Sequence, residues 1–251
     1  MNSIKKLSVF AILFLTFGLT SCSDVEPLDP AVIVTPTNPS NPSNPTTPGV
    51  STGDYWPTAL NNSWTFKDDG VIQPPVKIVS INSIGSDTYY TFNQALGGSS
   101  NAFGNAITRL KKVGGSYYYK LEDIVVSPIN GVPGLTVTGS EQIILKDNVA
   151  VGATWNGSYT QTITYTDPQF PTISTPFSYV GSIVEKDVSL VVLGETFTNV
   201  IKVKMVQTST GDLAGTQTSF YWFAKDVGPI KYTIEDEEEL SNADLVEYTI
   251  N

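Results

Sequence analysis

Gly194-Glu195-Thr196-Phe197-Thr198-Asn199-Val200-Ile201-Lys202-Val203-Lys204-Met205-Val206-Gln207 is the stretch whose pattern decides the fold. A glycine supplies a turn, and apolar and polar side chains then alternate through a run rich in β-branched residues. That is the signature of a strand with one buried face. Similar runs extend outward from it in both directions. Period-two alternation, or β-branched and aromatic enrichment, predicts strands at 63–67, 76–81, 88–94, 106–112, 117–121, 135–145, 158–166, 177–185, 188–193, 196–207, 218–224, 230–234 and 245–250. No segment keeps a helical period over three turns.

The connections carry their own chemistry. Asp68-Asp69-Gly70, Gly114-Gly115, Asn130-Gly131 and Asn156-Gly157 supply the positive φ angles of tight turns. Hairpins of this kind pair neighbouring strands antiparallel, and the absence of alternating βα units rules against a parallel nucleotide-binding sheet. Residues 51–251 therefore read as one all-β domain: a strongly curled antiparallel sheet, partial barrel or sandwich with a substantial core.

Three blocks resemble a known family. Asp54-Tyr55-Trp56-Pro57 leading to Asn62-Ser63-Trp64-Thr65-Phe66 is similar to the opening of a group of β-rich bacterial lipoprotein domains of the Bacteroidota type. The stretch from Gly194 to Val203 resembles their Gly-Thr-Phe-x-Asn-Val-hydrophobic-Lys strand, with Glu195 inserted after the glycine. Phe220-Tyr221-Trp222-Phe223-Ala224-Lys225-Asp226-Val227-Gly228-Pro229-Ile230-Lys231-Tyr232 resembles their closing hairpin, with Asp226 at a position where glycine is usual. The resemblance, to DUF3108-like lipoproteins, implies a curled antiparallel sheet or partial barrel on a lipid-anchored domain. It implies no activity.

The N-terminus agrees with an anchor. Lys5 and Lys6 precede an apolar run that ends in Leu19-Thr20-Ser21-Cys22, and Cys22 is the sole cysteine. The run falls short of the roughly 20 apolar residues a transmembrane helix needs, so 1–21 reads as a cleaved lipoprotein signal and Cys22 as the lipidation site. An ordinary secretory signal would instead leave Cys22 as an exposed free thiol, a liability that lipidation removes. Several buried acyl chains, at about 0.8 kcal/mol per methylene, hold a protein without help from its folded part. Residues 22–50 then form a stalk, dominated by Pro, Asn, Ser and Thr, extended at about 3.1 Å per residue where polyproline-like. Asp24, Glu26 and Asp29 at its start resemble an acidic surface-export signal, or form a solvated spacer. Outer-membrane anchoring with the domain exposed at the cell surface is expected, a periplasm-facing domain being the alternative.

Charge and composition exclude several functions. Losing 1–21, which holds Lys5 and Lys6 and no acid, takes the formal net charge from −10 to −12. Such a surface repels nucleic acid and anionic head groups. Arg109 is the sole arginine, so bidentate capture of phosphate has almost no donor. With no histidine, Ser-His-Asp hydrolysis, imidazole acid–base chemistry and His-metal sites are excluded. No phosphate loop, nucleophile elbow or dinucleotide fingerprint occurs, and no cofactor is expected. Paired carboxylates are what remains for catalysis, from Glu122, Asp123, Glu141, Glu185, Asp187 and Glu195. Solvated edge acids are the plainer reading. Glu235-Asp236-Glu237-Glu238-Glu239 reads as a hydrated, repelling loop, without the spaced ligands and turn glycine of a calcium loop.

Aromatic residues are the remaining candidates for binding. Trp64 and Trp222 lie in strong strand patterns and are expected in the core, whereas Trp56, beside Pro57, and Trp155, at a strand entry, are freer to serve a surface. Tyr117-Tyr118-Tyr119 on one strand cannot all enter one core, so one face shows tyrosine to solvent. The candidate ligand-binding set is thus Trp56, Trp155 and Tyr118. The expected function is a non-catalytic surface module for a glycan or an envelope protein. A carrier of lipid or another apolar ligand, needing an apolar interior groove, and a carboxylate-dependent glycan hydrolase are the alternatives. Residues 165–177, with Pro168, Pro171 and Pro176, form a lid or an ordinary loop.

Overall fold

The computed structural model describes residues 49–96, 106–129, 131–211, 214–235 and 240–251. The expected signal peptide, the stalk up to 48 and residues 236–239 of the acidic run lie outside the described residues. In chain order the strands are β1 (Ser63–Asp68), β2 (Val71–Ile72), β3 (Val76–Ile84), β4 (Asp87–Phe92), β5 (Thr108–Val113), β6 (Ser116–Leu121), β7 (Ile124–Val126) and β8 (Leu135–Val137). They continue with β9 (Ser140–Lys146), β10 (Thr154–Tyr165), β11 (Ile173–Val192), β12 (Glu195–Ser209), β13 (Gly215–Ala224), β14 (Gly228–Glu235) and β15 (Leu240–Thr249).

All fifteen belong to one sheet, ordered β7-β8-β10-β11-β12-β13-β14-β15-β1-β3-β4-β5-β6-β9, with β2 paired to β1. Every pairing is antiparallel, and the sheet curls into a partial barrel without closing. Its two arms meet at β1, which pairs with β15 along its length but with β3 only through Ser63 opposite Lys77 and Trp64 opposite Val76. The predicted turns at Asp69-Gly70 and Gly114 are present with positive φ, Asn130 lies outside the described residues, and Asn156-Gly157, expected at a turn, instead lies within β10, where Gly157 makes room for Tyr179 on β11. In the β13–β14 turn Asp226 takes φ 62°, the left-handed conformation that glycine would adopt freely and that Asp tolerates.

The differences from expectation have local causes. The predicted strands 177–185 and 188–193 are one long strand, β11, which absorbs the interruption in register shifts against β12 between Ile183 and Leu190. The predicted run 135–145 breaks into β8 and β9 at Thr138-Gly139, where the chain passes so close to the Leu121 carbonyl that no Cβ would fit on Gly139. β2 and β7 are too short for alternation to register. Residues 173–177 belong to β11 and 165 to β10, so the proline-rich segment is the connection of a long hairpin. The Pro176 carbonyl accepts from the Thr210 N–H at 3.2 Å.

Trp56 lies at the centre of the molecule, 0 % exposed, against Phe92, Phe223, Tyr119 and Trp64 at ring-centroid distances of 5.5, 5.8, 6.0 and 6.3 Å. This corrects the expectation that it serves a surface. The chain is strapped down from Gly49 onward, before β1, and the strap carries the indole inward. The Gly115 N–H donates to Gly49 O at 2.9 Å, and the Asp226 N–H to Asp54 O at 2.6 Å. Fully buried Asp147 accepts from Ser51 Oγ at 2.5 Å and from the Thr52 N–H at 3.2 Å. The Tyr117 hydroxyl accepts from the Tyr55 N–H at 3.0 Å, and Lys112 Nζ donates to Asp54 Oδ1 at 2.7 Å and to Trp56 O at 3.1 Å.

Trp155 is also inside, 5 % exposed, a second correction. On β10 and β11 two aromatics face two glycines: Trp155 stands opposite Gly181, and Tyr179 opposite Gly157. Each ring fills the space its glycine leaves, and a Cβ added at either glycine would collide with it. The rings also bind the free edge of the other arm. Trp155 Nε1 donates to Ile143 O at 2.8 Å, and the Ile143 N–H donates to the Tyr179 hydroxyl at 3.2 Å. Side chains thus bridge the arms where no ladder forms. Gly181→Val should lower stability by about 1–3 kcal/mol through overpacking, although valine suits a strand. Ser178→Val, exposed on the same strand, should change it by less than about 0.5 kcal/mol in the same urea titration.

Candidate surface site on the outer face of the sheet

Strand parity sorts the aromatics of β13. Tyr221 and Phe223 point into the core, 5 % and 0 % exposed, so Phe220 and Trp222 stand on the outer face and are half-buried there. Trp222 was expected in the core. Four successive aromatics gave no sign of which pair enters. The lysines paired with them did: Lys202 stands opposite Trp222 and Lys204 opposite Phe220 on β12, and Lys231 opposite Trp222 on β14. A lysine ladder marks the wet face.

Cross-strand register extends this into a row. Glu185, Lys202, Trp222, Lys231, Asp244 and Lys67 are consecutive partners across β11, β12, β13, β14, β15 and β1. Lys202 Nζ lies 5.1 Å from the Trp222 ring centroid and 5.3 Å from that of Phe220. Lys231 Nζ is 5.9 Å from Trp222, and Lys204 Nζ is 5.9 Å from Phe220. These separations allow cation–π attraction, with the lysine stems lying along the rings. Lys202 pairs with Glu185 at 3.3 Å and Lys231 with Asp244 at 2.7 Å. Beside this row runs another of Ser182, Lys204, Phe220, Thr233 and Asn242. The result is an outward strip of two rings, ammonium groups and short hydroxyl and amide side chains.

Tyr118 is half-buried on the outer face of the other arm. It is not near Trp56 or Trp155 in function, since both of those are core residues. Lys111 Nζ sits 4.6 Å from its ring centroid and pairs with Glu141 at 2.8 Å and Asp87 at 3.1 Å. Burial pulls the Lys111 ammonium down, but hydrogen bonds to Glu141, Asp87 and Tyr89 outweigh it and hold its pKa above the ordinary lysine value. Alongside, Arg109 and Lys120 pair with Glu122 at 2.6 and 2.9 Å. Burial pushes the Glu122 carboxyl up, the two cations pull it down further, and it ends below its ordinary value.

Five of the six carboxylates considered for catalysis are dispersed over such contacts, and the sixth, Asp187, lies at a left-handed position (φ 57°) within β11. Glu122, Glu141 and Glu185 hold cations, Asp123 accepts from the Gly139 N–H at 2.8 Å, and Glu195 accepts from the Tyr248 hydroxyl at 3.4 Å. A general acid needs a raised pKa, and Glu122 has the opposite. The interior groove of an apolar carrier would have to lie where Trp56 and its aromatic neighbours are packed.

No family model matches the chain, and no curated protein matches it in sequence. Two solved structures are similar in shape, each at 12 % identity and each covering 78 % of this chain and 99 % of its own. One is a protein from Parabacteroides distasonis assigned as a lipoprotein, with a TM-score of 0.46. The other, from Bacteroides fragilis, is assigned as an exported protein with a YmcC-like fold, with a TM-score of 0.49. At these values the likeness establishes neither a family nor an activity, and the resemblance to DUF3108-like lipoproteins rests on its three sequence blocks.

The Glu122 contacts have a pH consequence. A carboxyl whose folded pKa lies below its unfolded value of about 4.3 contributes stability that is present above that value and lost as pH falls through the folded pKa. Thermal melts between pH 6 and 2 should therefore fall with acid, and Glu122→Gln should melt lower than wild type at pH 6 while losing less of its Tm on acidification.

Proposed function

We propose that this protein is a lipid-tethered cell-envelope protein whose β domain is a non-catalytic module for binding a glycan or a protein partner, displayed at the cell surface. The observation that carries this reading is the outward Phe220–Trp222 pair, 6.2 Å between ring centroids, with lysines from both neighbouring strands against it. Half-exposed aromatics beside polar side chains suit stacking on sugar rings or anchoring a protein contact. The lipoprotein signal ending at Cys22 and the proline-rich stalk support a tethered domain held away from its membrane. The carboxylates engaged in ion pairs and the missing histidine support binding rather than turnover.

Protease added to intact cells should remove the domain while leaving periplasmic markers whole, and Cys22→Ala should release the protein from the membrane fraction. On a glycan array and in pull-downs from envelope extracts, Trp222→Ala with Phe220→Ala should lose at least tenfold of the binding that wild type shows. Protection of the domain until the outer membrane is opened would sink surface display. Undiminished binding by the double variant would sink the assignment of the site.

A further inference from the structure

Resting on that reading, we infer that the strip on β12, β13 and β14 takes an acidic glycan, one bearing carboxylate, sulfate or phosphate groups, rather than a neutral one. The argument is one of what a ligand meets first. Neutral sugars stack by laying a face of C–H groups on a bare ring. Here the rings already have cations near them: Lys202 reaches both, at 5.1 and 5.3 Å, with Lys231 and Lys204 each at 5.9 Å from one. A neutral sugar would have to push the ammonium groups aside and forfeit their attraction to the rings. An anion binds the same ammonium groups where they stand, and the rings hold them in place for it.

The local charge agrees. Lys202 and Lys231 are paired with Glu185 and Asp244, Glu235 lies one row beyond Thr233 on the same face of β14, and among the described residues Lys204 has no carboxylate partner. Lys204 is therefore an ammonium group beside an exposed ring with no carboxylate partner among the described residues, on a protein whose formal net charge is −10. That contrast lets the rest of the surface repel a polyanion while one face accepts it, which sets where the chain lies and which way it runs. Ser182, Thr233 and Asn242, aligned on the row beside Phe220, place hydroxyl and amide groups within the same plane for sugar hydroxyls. The outer face of the curled sheet is convex and presents its side chains in rows across the strands, so the ligand it suits is a polymer lying across the strands rather than a small molecule in a pocket.

The full mature protein in detergent, titrated with polygalacturonate, heparin and hyaluronan as acidic probes and with dextran as the neutral one, tests this. At least one acidic polymer should bind, dextran at least tenfold more weakly. Raising NaCl from 0.1 to 1 M, which shortens the screening length from about 10 to about 3 Å, should weaken the acidic complex about tenfold or more. Lys204→Gln, a change at a partly exposed side chain, should weaken it severalfold with the melting temperature unchanged, and Lys202→Gln should weaken it further. Dextran binding as tightly as the acidic probes, with Trp222→Ala abolishing both, would overturn the acidic preference and leave the glycan-binding site standing. Binding of none of these polymers, with the strip variants affecting capture of an envelope protein instead, would overturn the glycan and keep the surface. Loss of no interaction by Trp222→Ala would overturn both.

Discussion

The burial of Trp56 is the constraint on which the rest depends. The two arms of the sheet are joined through a ladder of two residue pairs between β1 and β3, far too little to hold a curl. One indole from a segment outside the sheet touches Trp64 on β1, Phe92 on β4, Tyr119 on β6 and Phe223 on β13, so both arms are packed on the same ring. Its Nε1 finds no hydrogen-bond partner among the described residues, a cost of about 1–3 kcal/mol that the apolar area of the ring must exceed. The strap that delivers it is secured by hydrogen bonds to Asp147 and Tyr117, which are themselves buried. The segment before β1 is thereby a structural part of the domain, packed at the centre of the core.

The second constraint is the lateral approach of the arms. Tyrosine and tryptophan reach across from β10 and β11 to the backbone of Ile143 because the facing glycines leave them room. Large and small side chains alternate across this wall as they must in a small curled sheet, whose inner face is shorter than its outer one. The interior is filled in this way, and on the outside the long strands β11 to β14 expose a regular array of side chains.

On that outside the charges are arranged locally. The arm of β4, β5, β6 and β9 carries a network in which Arg109, Lys111 and Lys120 are matched against Asp87, Glu122 and Glu141. There the aromatic rings of Tyr89 and Tyr118 wall in Lys111, so its charge is spent on its neighbours. On β12 to β14 the lysines outnumber the acids and lie against rings that stay half exposed. The same residue types thus make a satisfied network on one arm and an available surface on the other.

Much of the architecture was legible in the residues themselves: alternation from Val200 to Gln207 and its counterparts, with turns such as Asp69-Gly70 and Gly114-Gly115 between them, identified an all-β antiparallel domain and nearly all of its long strands, although Asn156-Gly157 proved to lie within a strand. Alternation is a local property, so neighbouring residues suffice to reveal it. Which aromatic enters the core is a different kind of question. A strand of Phe220-Tyr221-Trp222-Phe223 announces two faces but not which is inner, and the answer came from Lys202, Lys204 and Lys231, brought alongside by register. Trp56 is buried because Asp147, distant in the chain, holds its strap, and Trp155 because Gly181 stands opposite it. Sequence by itself determined the strands, the turns and the acidic balance of the chain, since these depend on contiguous residues. The inward tryptophans and the lysine-flanked strip were decided by tertiary structure alone, since each needs partners that only strand pairing and the curl of the sheet bring within reach.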